Sequence, residues 1–264
     1  MNTNLLKVPT MAEMALSGEV PEILFWVGCS GSFDSRAQKI TKAIVKILNH
    51  CNINFAVLGT EESCTGDPAK RAGNEFLYQM QAMTNIAVLN GYEIKKIVTG
   101  CPHCFNIIKN EYPSLGGKYE VVHHSQLLQQ LINDGRLTVA GGSFAGKKIT
   151  FHDPCYLGRG NDVYEAPREV IVKLDAELSE MKRSRANGLC CGAGGAQMFK
   201  EPEKGNKDIN IERTEEALQL KPDVIAVGCP FCMTMMTDGI KHFEKEQEVS
   251  VLDIAELIAK ANDL

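Results

Sequence analysis

Short apolar runs alternate with longer stretches of helical periodicity along most of this chain. Residues 23–27, Ile-Leu-Phe-Trp-Val, form the continuous apolar run that is typical of a buried strand. Residues 37–49 repeat apolar positions on one helix face, as Ile40, Ile44 and Ile47 show. Further strands are predicted at 54–58, 94–99, 119–123, 148–152, 223–227 and 249–252, and further helices at 69–90, 102–110, 126–133, 167–174, 209–218 and 254–260.

The alternation of strands and helices runs through the chain twice. Such alternation favours parallel sheets with right-handed crossovers, so the pattern predicts an α/β fold of two tandem, similar units. We expect residues 1–20 to form an N-terminal extension that packs on the body or on a partner. Residues 21–146 are then the first cysteine-rich unit and residues 147–264 the second, with a glycine-rich junction at 135–146.

Nine of the ten cysteines follow one spacing in both halves. Cys155 follows Cys29 by 126 residues, and Cys190 follows Cys64 by the same number. Each half then ends with a Cys-Pro-x-Cys, and the two motifs are 128 residues apart. This repetition indicates an internal duplication. The second half adds Cys191 beside Cys190, where the first half has Thr65 after Cys64.

The predicted strands place these sulfurs together. Cys29, Cys101, Cys155 and Cys229 each follow a strand, and the carboxyl ends of parallel strands line one crevice. The proline of each Cys-Pro-x-Cys suits the first turn of a helix, and a helix N-terminus stabilises thiolate over thiol. We therefore expect metal or cluster sites at the carboxyl ends of the strands, with the amides of 192–195 close by.

The number of sulfurs distinguishes the candidate centres. Soft thiolates favour zinc or iron-sulfur, and five of them exceed the four that tetrahedral zinc uses. The second unit is accordingly predicted to bind an iron-sulfur cofactor through Cys155, Cys190, Cys191, Cys229 and Cys232. The first unit offers four metal-binding candidates, enough for a [4Fe-4S] cubane or for zinc: Cys29, Cys64, Cys101 and Cys104.

Composition narrows the cellular setting. The chain has 264 residues with 44% hydrophobic and 23% charged residues, as globular proteins do. A net charge of -5 gives no electrostatic reason to expect nucleic acid as a partner. The first residues lack the layout of a secretory signal, and no run reaches the length of a membrane span. These features predict a cytoplasmic protein.

The doubled Cys…Cys-Cys-Gly…Cys-x-x-Cys pattern resembles that of the cysteine-rich CCG family. Members include a heterodisulfide reductase subunit and the iron-sulfur subunits of glycolate oxidase, lactate-utilisation and glycerol-3-phosphate dehydrogenase systems. Residues 62–68, Glu-Ser-Cys-Thr-Gly-Asp-Pro, are similar to the C-terminal half of membrane-anchored Fe-S reductases paired with electron-transfer flavoproteins. Those relatives carry ferredoxin-type motifs and membrane helices upstream. Because neither occurs here, we expect a separate protein to supply them.

The resemblance implies a function and a cluster type. It implies a non-cubane [4Fe-4S] cluster on the five cysteines of the second unit. It also implies an electron-transfer subunit of a flavoprotein-linked dehydrogenase or quinone-linked oxidoreductase. The partners would be a flavoprotein dehydrogenase or electron-transfer flavoprotein, with a ferredoxin-like or membrane-anchored Fe-S subunit that holds the protein at the inner face of the membrane. Two alternatives stay open: a heterodisulfide or disulfide reductase, and a zinc-stabilised, non-catalytic interaction protein.

Several other residues have two interpretations. His103 and His152 lie beside cysteines and could replace a thiolate or hydrogen-bond to one, whereas His123 and His124 suit structural roles. Cys51 has no counterpart in the second half and suits a core thiol. A basic run precedes Cys190 and is either a solvated face or an attraction for anions or acidic partners. It comprises Lys182, Arg183 and Arg185.

Overall fold

The computed structural model describes residues 6–201 and 204–264 and contains two four-stranded sheets. All the strand pairs are parallel, and both sheets have the same order, with the second strand of each unit at one edge. The predicted α/β fold of two tandem units is therefore confirmed. The first sheet has the order β2-β1-β3-β4, with β1 Ile23–Trp26, β2 Phe55–Ala56, β3 Lys96–Thr99 and β4 Glu120–His123. The second has the order β6-β5-β7-β8, with β5 Lys148–Phe151, β6 Glu177–Leu178, β7 Val224–Val227 and β8 Ser250–Asp253.

Helices connect the strands and cover the sheets. In the first unit and the segment before it they are α1 Met11–Ser17, α2 Gly28–Phe33, α3 Ala37–His50, α4 Asp67–Arg71, α5 Glu75–Gly91, α6 Pro102–Asn110 and α7 His124–Asn133. In the second unit they are α8 Glu165–Val172, α9 Ile209–Leu218, α10 Pro230–His242 and α11 Ile254–Ala261. Among the described residues, no helix is long and apolar enough to cross a membrane.

The structure corrects the predicted helix at 69–90. That stretch holds two helices, because α4 ends at Arg71 and α5 begins only at Glu75. Gly73 lies between them with φ +85°, a left-handed conformation that no helix interior contains. The break lets α4 follow Cys64 closely and then turns the chain into α5. Helix α2 and the two-residue strand β6 were also not predicted from the sequence.

The N-terminal segment packs on the first sheet. Thr10 caps α1 with a reciprocal capping box to Glu13, and it pairs with Val57 in a parallel bridge. Met11 and Met14 are buried in the hydrophobic cluster on that side of the sheet. Residues 1–5 of the predicted extension lie outside the described residues.

The two units share one hydrophobic core. Helix α3 packs against α11 and α7 packs against α8, so a single cluster of buried residues runs from the first sheet to the second. Arg36, just before α3, forms a bidentate ion pair with Glu256 of α11. The side chain of His124 contacts that of Asp253 at 2.9 Å between Nε2 and Oδ1. Both contacts fix the strand ends of one unit against those of the other.

Candidate metal centres

The five cysteines predicted as cofactor ligands in the second unit form a continuous series of sulfurs. Cys229 is the N-cap of α10 and Cys232 lies in its first turn, with Pro230 at the first helical position as predicted. The sulfurs of Cys191 and Cys232 lie 3.4 Å apart. Side-chain contacts continue the series from Cys229 to Cys232 and from Cys191 through Cys190 to Cys155. Thiols from three separate parts of the chain therefore meet, because each follows a strand end or lies on the loop beside one.

The backbone around Cys190 favours the thiolate. The N-H of Gly192 donates to the Cys190 sulfur at 3.3 Å, and Gly192 has φ +91°, which a glycine adopts without strain. Contacts with the thiols of Cys155 and Cys191 hold the pKa of Cys190 well below its usual range. The same contact with Cys190 raises the pKa of Cys191 to about 12. The turn at Cys190 thus favours a thiolate, as cluster and metal ligands require. Burial raises the pKa of Cys229, and contact with Cys191 raises that of Cys232, so these two thiols would lose their protons only to a bound metal or cluster.

The four predicted metal-binding cysteines of the first unit line one cavity. Cys101 is the N-cap of α6, Cys104 lies in that helix, and Cys29 lies in α2. The N-H of Gly66 lies 3.5 Å from the Cys64 sulfur. The N-H of Gly192 has the same position relative to Cys190 in the second unit. Contact with Cys29 lowers the pKa of Cys64 to about 7. The turn that carries Cys64 therefore has the same design as the turn that carries Cys190.

Thr65 fills the place that Cys191 has in the second unit. Its side chain is buried, and its Oγ1 lies 3.9 Å from the sulfur of Cys104. The Tyr112 hydroxyl donates to the Thr65 carbonyl at 3.1 Å and holds the turn in place. The first unit thus has a hydroxyl where the second has a fifth thiol.

The two sites adjoin one another. The side chains of Cys101 and Cys229, which cap α6 and α10, are in contact. The side chain of Phe231, from the second unit, lines the cavity of the first-unit cysteines. The sulfurs of both units therefore lie in one region between the sheets, which spacing along the sequence could not show.

Four of the six histidines lie near the cysteines or between the units, and they form two groups. His103 contacts Asp67 at 2.8 Å between Nδ1 and Oδ2, and its ring packs on Tyr156, the residue after Cys155. His152 lies at the end of β5, and one of its ring nitrogens is within 4.8 Å of the sulfurs of both Cys191 and Cys232. His123 and His124 lie between the units, where they contact the Gly228 carbonyl and Asp253 respectively.

Acidic neighbours pair with two of the three residues in the basic run before Cys190. Arg183 pairs with Glu212 at 2.7 Å and with Glu216 at 3.0 Å. Arg185 pairs with Glu165 through its guanidinium, and its backbone N-H donates to Asp153. Lys182 is exposed. These pairs fasten the loop to α8 and α9 and leave little free positive charge for an anionic ligand.

Two side chains that support the sites were not predicted from the sequence. Asp67 follows Cys64 within Gly-Asp-Pro, and that position in a loop before a helix was the only available signal for its role. Arg213 lies on α9, is fully buried, and donates to Nδ1 of His152 at 3.0 Å. Nothing near Arg213 in the sequence points to His152, which is 61 residues away. Cys51 is buried in the core and is absent from the cavity that the first-unit cysteines line.

Comparison with known proteins gives curated relatives along most of the chain. It is 47% identical over 256 residues to the probable iron-sulfur-binding oxidoreductase FadF of Bacillus subtilis (strain 168), covering 97% of this chain and 36% of that protein. It is 42% identical over 250 residues to the EtfAB:quinone oxidoreductase of Syntrophomonas wolfei subsp. wolfei, covering 92% of this chain and 35% of the relative. The chain thus spans about a third of the length of these two relatives.

A third relative is more distant. One of the subunits of the dihydromethanophenazine:CoB--CoM heterodisulfide reductase of Methanosarcina barkeri (strain Fusaro) is 33% identical over 247 residues, covering 91% of this chain and 59% of that relative. The model of the CCG cysteine-rich domain matches residues 23–109 and again residues 149–237. Each match begins in the first strand of a unit, β1 or β5. The chain therefore belongs to the CCG cysteine-rich domain family and carries that domain twice.

Proposed function

We propose that this chain is an iron-sulfur electron-transfer unit of a flavoprotein-linked dehydrogenase or quinone-linked oxidoreductase. The observation that carries the proposal is the continuous series of five sulfurs in the second unit, with Cys191 and Cys232 only 3.4 Å apart. Three of the five are buried, and thiols that meet in this way from distant parts of a chain form the kind of ligand set that a metal or cluster requires. The names of the FadF and EtfAB relatives describe the same chemistry.

The donor set of the second unit fits a [4Fe-4S] cluster. Its ligands would be Cys155, Cys190, Cys191, Cys229 and Cys232, and the resemblance to heterodisulfide reductase supports the non-cubane form. Such a cluster, when bound, accepts and releases single electrons. The chain's own part is to supply thiolates, to bury most of them, and to aim the N-H groups of the Gly192 turn and the α10 N-terminus at them.

The four cysteines of the first unit line one cavity and are enough either for a [4Fe-4S] cubane or for tetrahedral zinc. The name of the FadF relative, an iron-sulfur-binding oxidoreductase, supports the cubane. We propose that these four hold a cubane, with zinc as the alternative.

The exposed cysteines suggest where electrons enter and leave. Cys29 and Cys64 in the first unit, and Cys155 and Cys190 in the second, are the only ligand candidates that solvent partly reaches. These four residues occupy equivalent positions in the two domains that we place at 21–146 and 147–264. We propose that a flavoprotein, either a dehydrogenase or an electron-transfer flavoprotein, delivers electrons at one edge. A ferredoxin-like or membrane-anchored Fe-S partner would receive them at the other and hold the protein at the membrane.

The first experiment measures iron, zinc and acid-labile sulfide together with EPR on protein purified without oxygen. We expect iron and sulfide at cluster stoichiometry and an EPR signal that a flavoprotein or low-potential donor elicits. Cys191→Ser should change that signal while four thiolates retain most of the iron. Cys51→Ser, which removes a thiol outside both sites, is the matched control and should change nothing. Zinc without sulfide in the native protein would contradict the proposal and favour a zinc-stabilised interaction protein.

A cavity beside the second site favours direct disulfide reduction as a second candidate function. Its volume is about 540 Å³, and it is lined by Gly192, next to Cys191, and by Met198, Ile209 and Met235. A small disulfide could enter there and take electrons at the neighbouring centre. Turnover of a low-molecular-weight disulfide by the reduced protein, lost in Cys191→Ser, would support this candidate. Failure to reduce any such disulfide would exclude it in favour of electron transfer alone.

A further inference from the structure

His152 lies close to the second centre and is almost completely buried. It follows β5 directly, is 1% exposed, and has a ring nitrogen within 4.8 Å of the sulfurs of Cys191 and Cys232. Two roles are open to an imidazole in this position. It could coordinate iron through a lone pair, or it could donate an N-H to a sulfur of the centre.

The partner of His152 distinguishes these roles. Arg213 donates from Nε to Nδ1 of His152 at 3.0 Å. A guanidinium has donors and no acceptor, so Nδ1 must be the acceptor and carry a lone pair rather than a proton. A doubly protonated imidazolium has no acceptor, so a ring that accepts at Nδ1 is neutral. A neutral ring with a bare Nδ1 has its proton on Nε2. Neither nitrogen then has a free lone pair for a metal.

The guanidinium of Arg213 is fixed in this orientation. Its Nη1 donates to the Arg183 carbonyl at 2.7 Å and to Glu216 at 2.9 Å, and the residue is 0% exposed. Burial and these two hydrogen bonds hold the Arg213 side chain in place. It therefore keeps its hydrogen bond to His152. The tautomer of His152 is therefore set by the fold and does not depend on solvent.

In the first unit, Trp26 occupies the position that corresponds to His152. Trp26 precedes His152 by 126 residues, the same spacing that relates Cys29 to Cys155, and it ends the first strand of its unit. It is buried in the same cluster as Cys101 and Cys104. Its Nε1-H, which can only donate, has no hydrogen-bond partner among the described residues. An indole cannot ligate iron, so the feature that the two positions have in common is a buried ring N-H.

We propose that His152 is a hydrogen-bond donor to a sulfur of the second-unit centre, not a ligand, and that Arg213 is the positioning residue that fixes it. The inference rests on the proposed iron-sulfur function and adds to it a means of setting the reduction potential. An N-H that donates to a cluster sulfur stabilises the extra electron of the reduced state. Loss of that donor should therefore lower the midpoint potential of the centre.

The decisive measurement is made on native protein. Pulsed EPR of the reduced centre, with ¹⁵N-labelled histidine, separates a directly bound nitrogen from one that is a hydrogen bond away. We expect only weak nitrogen coupling together with an exchangeable proton coupling that disappears in D₂O. A strong coupling of the size that a bound imidazole gives would overturn the inference. Absence of iron and sulfide from native protein would overturn the proposed function itself, which is a different outcome.

Substitutions then test the role of Arg213. His152→Asn should keep its iron and sulfide and titrate at a lower potential, whereas loss of iron would identify a ligand and overturn the inference. Arg213→Lys keeps the positive charge but not the Nε donor, and it should also lower the potential. In the double variant, Arg213→Lys should add no further shift, because it acts through His152. Additive shifts would contradict that role. His50→Asn, at an exposed histidine, is the control and should leave the potential unchanged.

Discussion

Thr65 and Cys191 occupy equivalent positions in two turns of the same construction. Each is followed by a glycine with φ near +90°, whose N-H points at the cysteine two residues before it. Each also faces the last cysteine of its unit, with Thr65 Oγ1 3.9 Å from the Cys104 sulfur and Cys191 Sγ 3.4 Å from the Cys232 sulfur. The two sites therefore differ, at this turn, by one side chain in an otherwise common frame.

Restoring the missing sulfur should change the first centre. In Thr65→Cys the new thiol would lie beside Cys104, where it could act as a fifth ligand. We expect folding and iron content to be preserved and the EPR signal of the first centre to move toward that of the second. Thr65→Ser keeps a hydroxyl and is the matched control. An unchanged spectrum in Thr65→Cys would show that more than this side chain separates the two sites.

Asp253 fastens the second unit to the first. Its Oδ1 lies 2.9 Å from Nε2 of His124 and accepts the N-H of Ala255 at the start of α11, and the residue is 0% exposed. Asp253→Ala removes a helix cap and a buried partner, so we expect a loss of about 2–4 kcal/mol in the free energy of unfolding. Urea unfolding measures this loss.

Asp253→Asn is the control for that change. It keeps an oxygen that can accept from Ala255 and His124, so it should cost clearly less than Asp253→Ala. Equal losses in the two variants would mean that the negative charge, and not the hydrogen bonds, stabilises the junction.

Sequence patterns were sufficient to predict the fold and to predict that distant cysteines lie close together. Period and strand length predicted both parallel sheets, and the repeated spacing predicted that Cys29 and Cys155 would occupy matching places. The periods are local signals, which depend on residues close together in the chain, whereas the repeat is visible as a fixed offset of 126 residues. The predicted helix at 69–90 was wrong although the signal for the break is local: Gly73 takes the left-handed conformation that ends helices, and Asn74 is the N-cap of α5.

What the sequence could not predict depends on contacts between distant segments. The contact of Cys101 with Cys229 requires the two units to pack through α3, α7, α8 and α11. The link from Arg213 to His152 likewise depends on where α9 lies against β5. Neither pair has a spacing or motif that identifies it. Such contacts can be identified only from a structure in which the two units are packed together.

Glu216 should make stability depend on pH in the acid range. Burial alone would raise its pKa, but hydrogen bonds from the Arg183 backbone and the charge of Arg213 lower it below the ordinary value of 4.5. A lowered carboxyl pKa contributes stability that is present above about pH 4.5 and is lost as the pH falls through the folded-state value. Glu216→Gln should therefore be about 1–3 kcal/mol less stable than native protein near neutrality, with the difference narrowing in acid.

The control for Glu216→Gln is a change at Glu212, a surface carboxylate that also pairs with Arg183. Glu212→Gln removes the exposed partner of Arg183, and both side chains of that pair are well exposed. Surface pairs contribute little, so this variant should follow the native stability curve across the pH range. A constant difference between native protein and Glu216→Gln from neutral to acid pH would contradict the assigned role of Glu216.

The contact between Cys101 and Cys229 should couple the two centres. Because these side chains are neighbours, a change at Cys229 alters the surroundings of Cys101, a proposed ligand of the first unit, as well as removing a proposed ligand of the second. Cys229→Ser should therefore change the EPR signals of both centres. Cys155→Ser removes a ligand at the far end of the sulfur series, next to Cys190, and should change only the second signal. If Cys229→Ser leaves the first signal as it is in native protein, the centres are electronically separate, and electrons would have to cross between them without help from this contact.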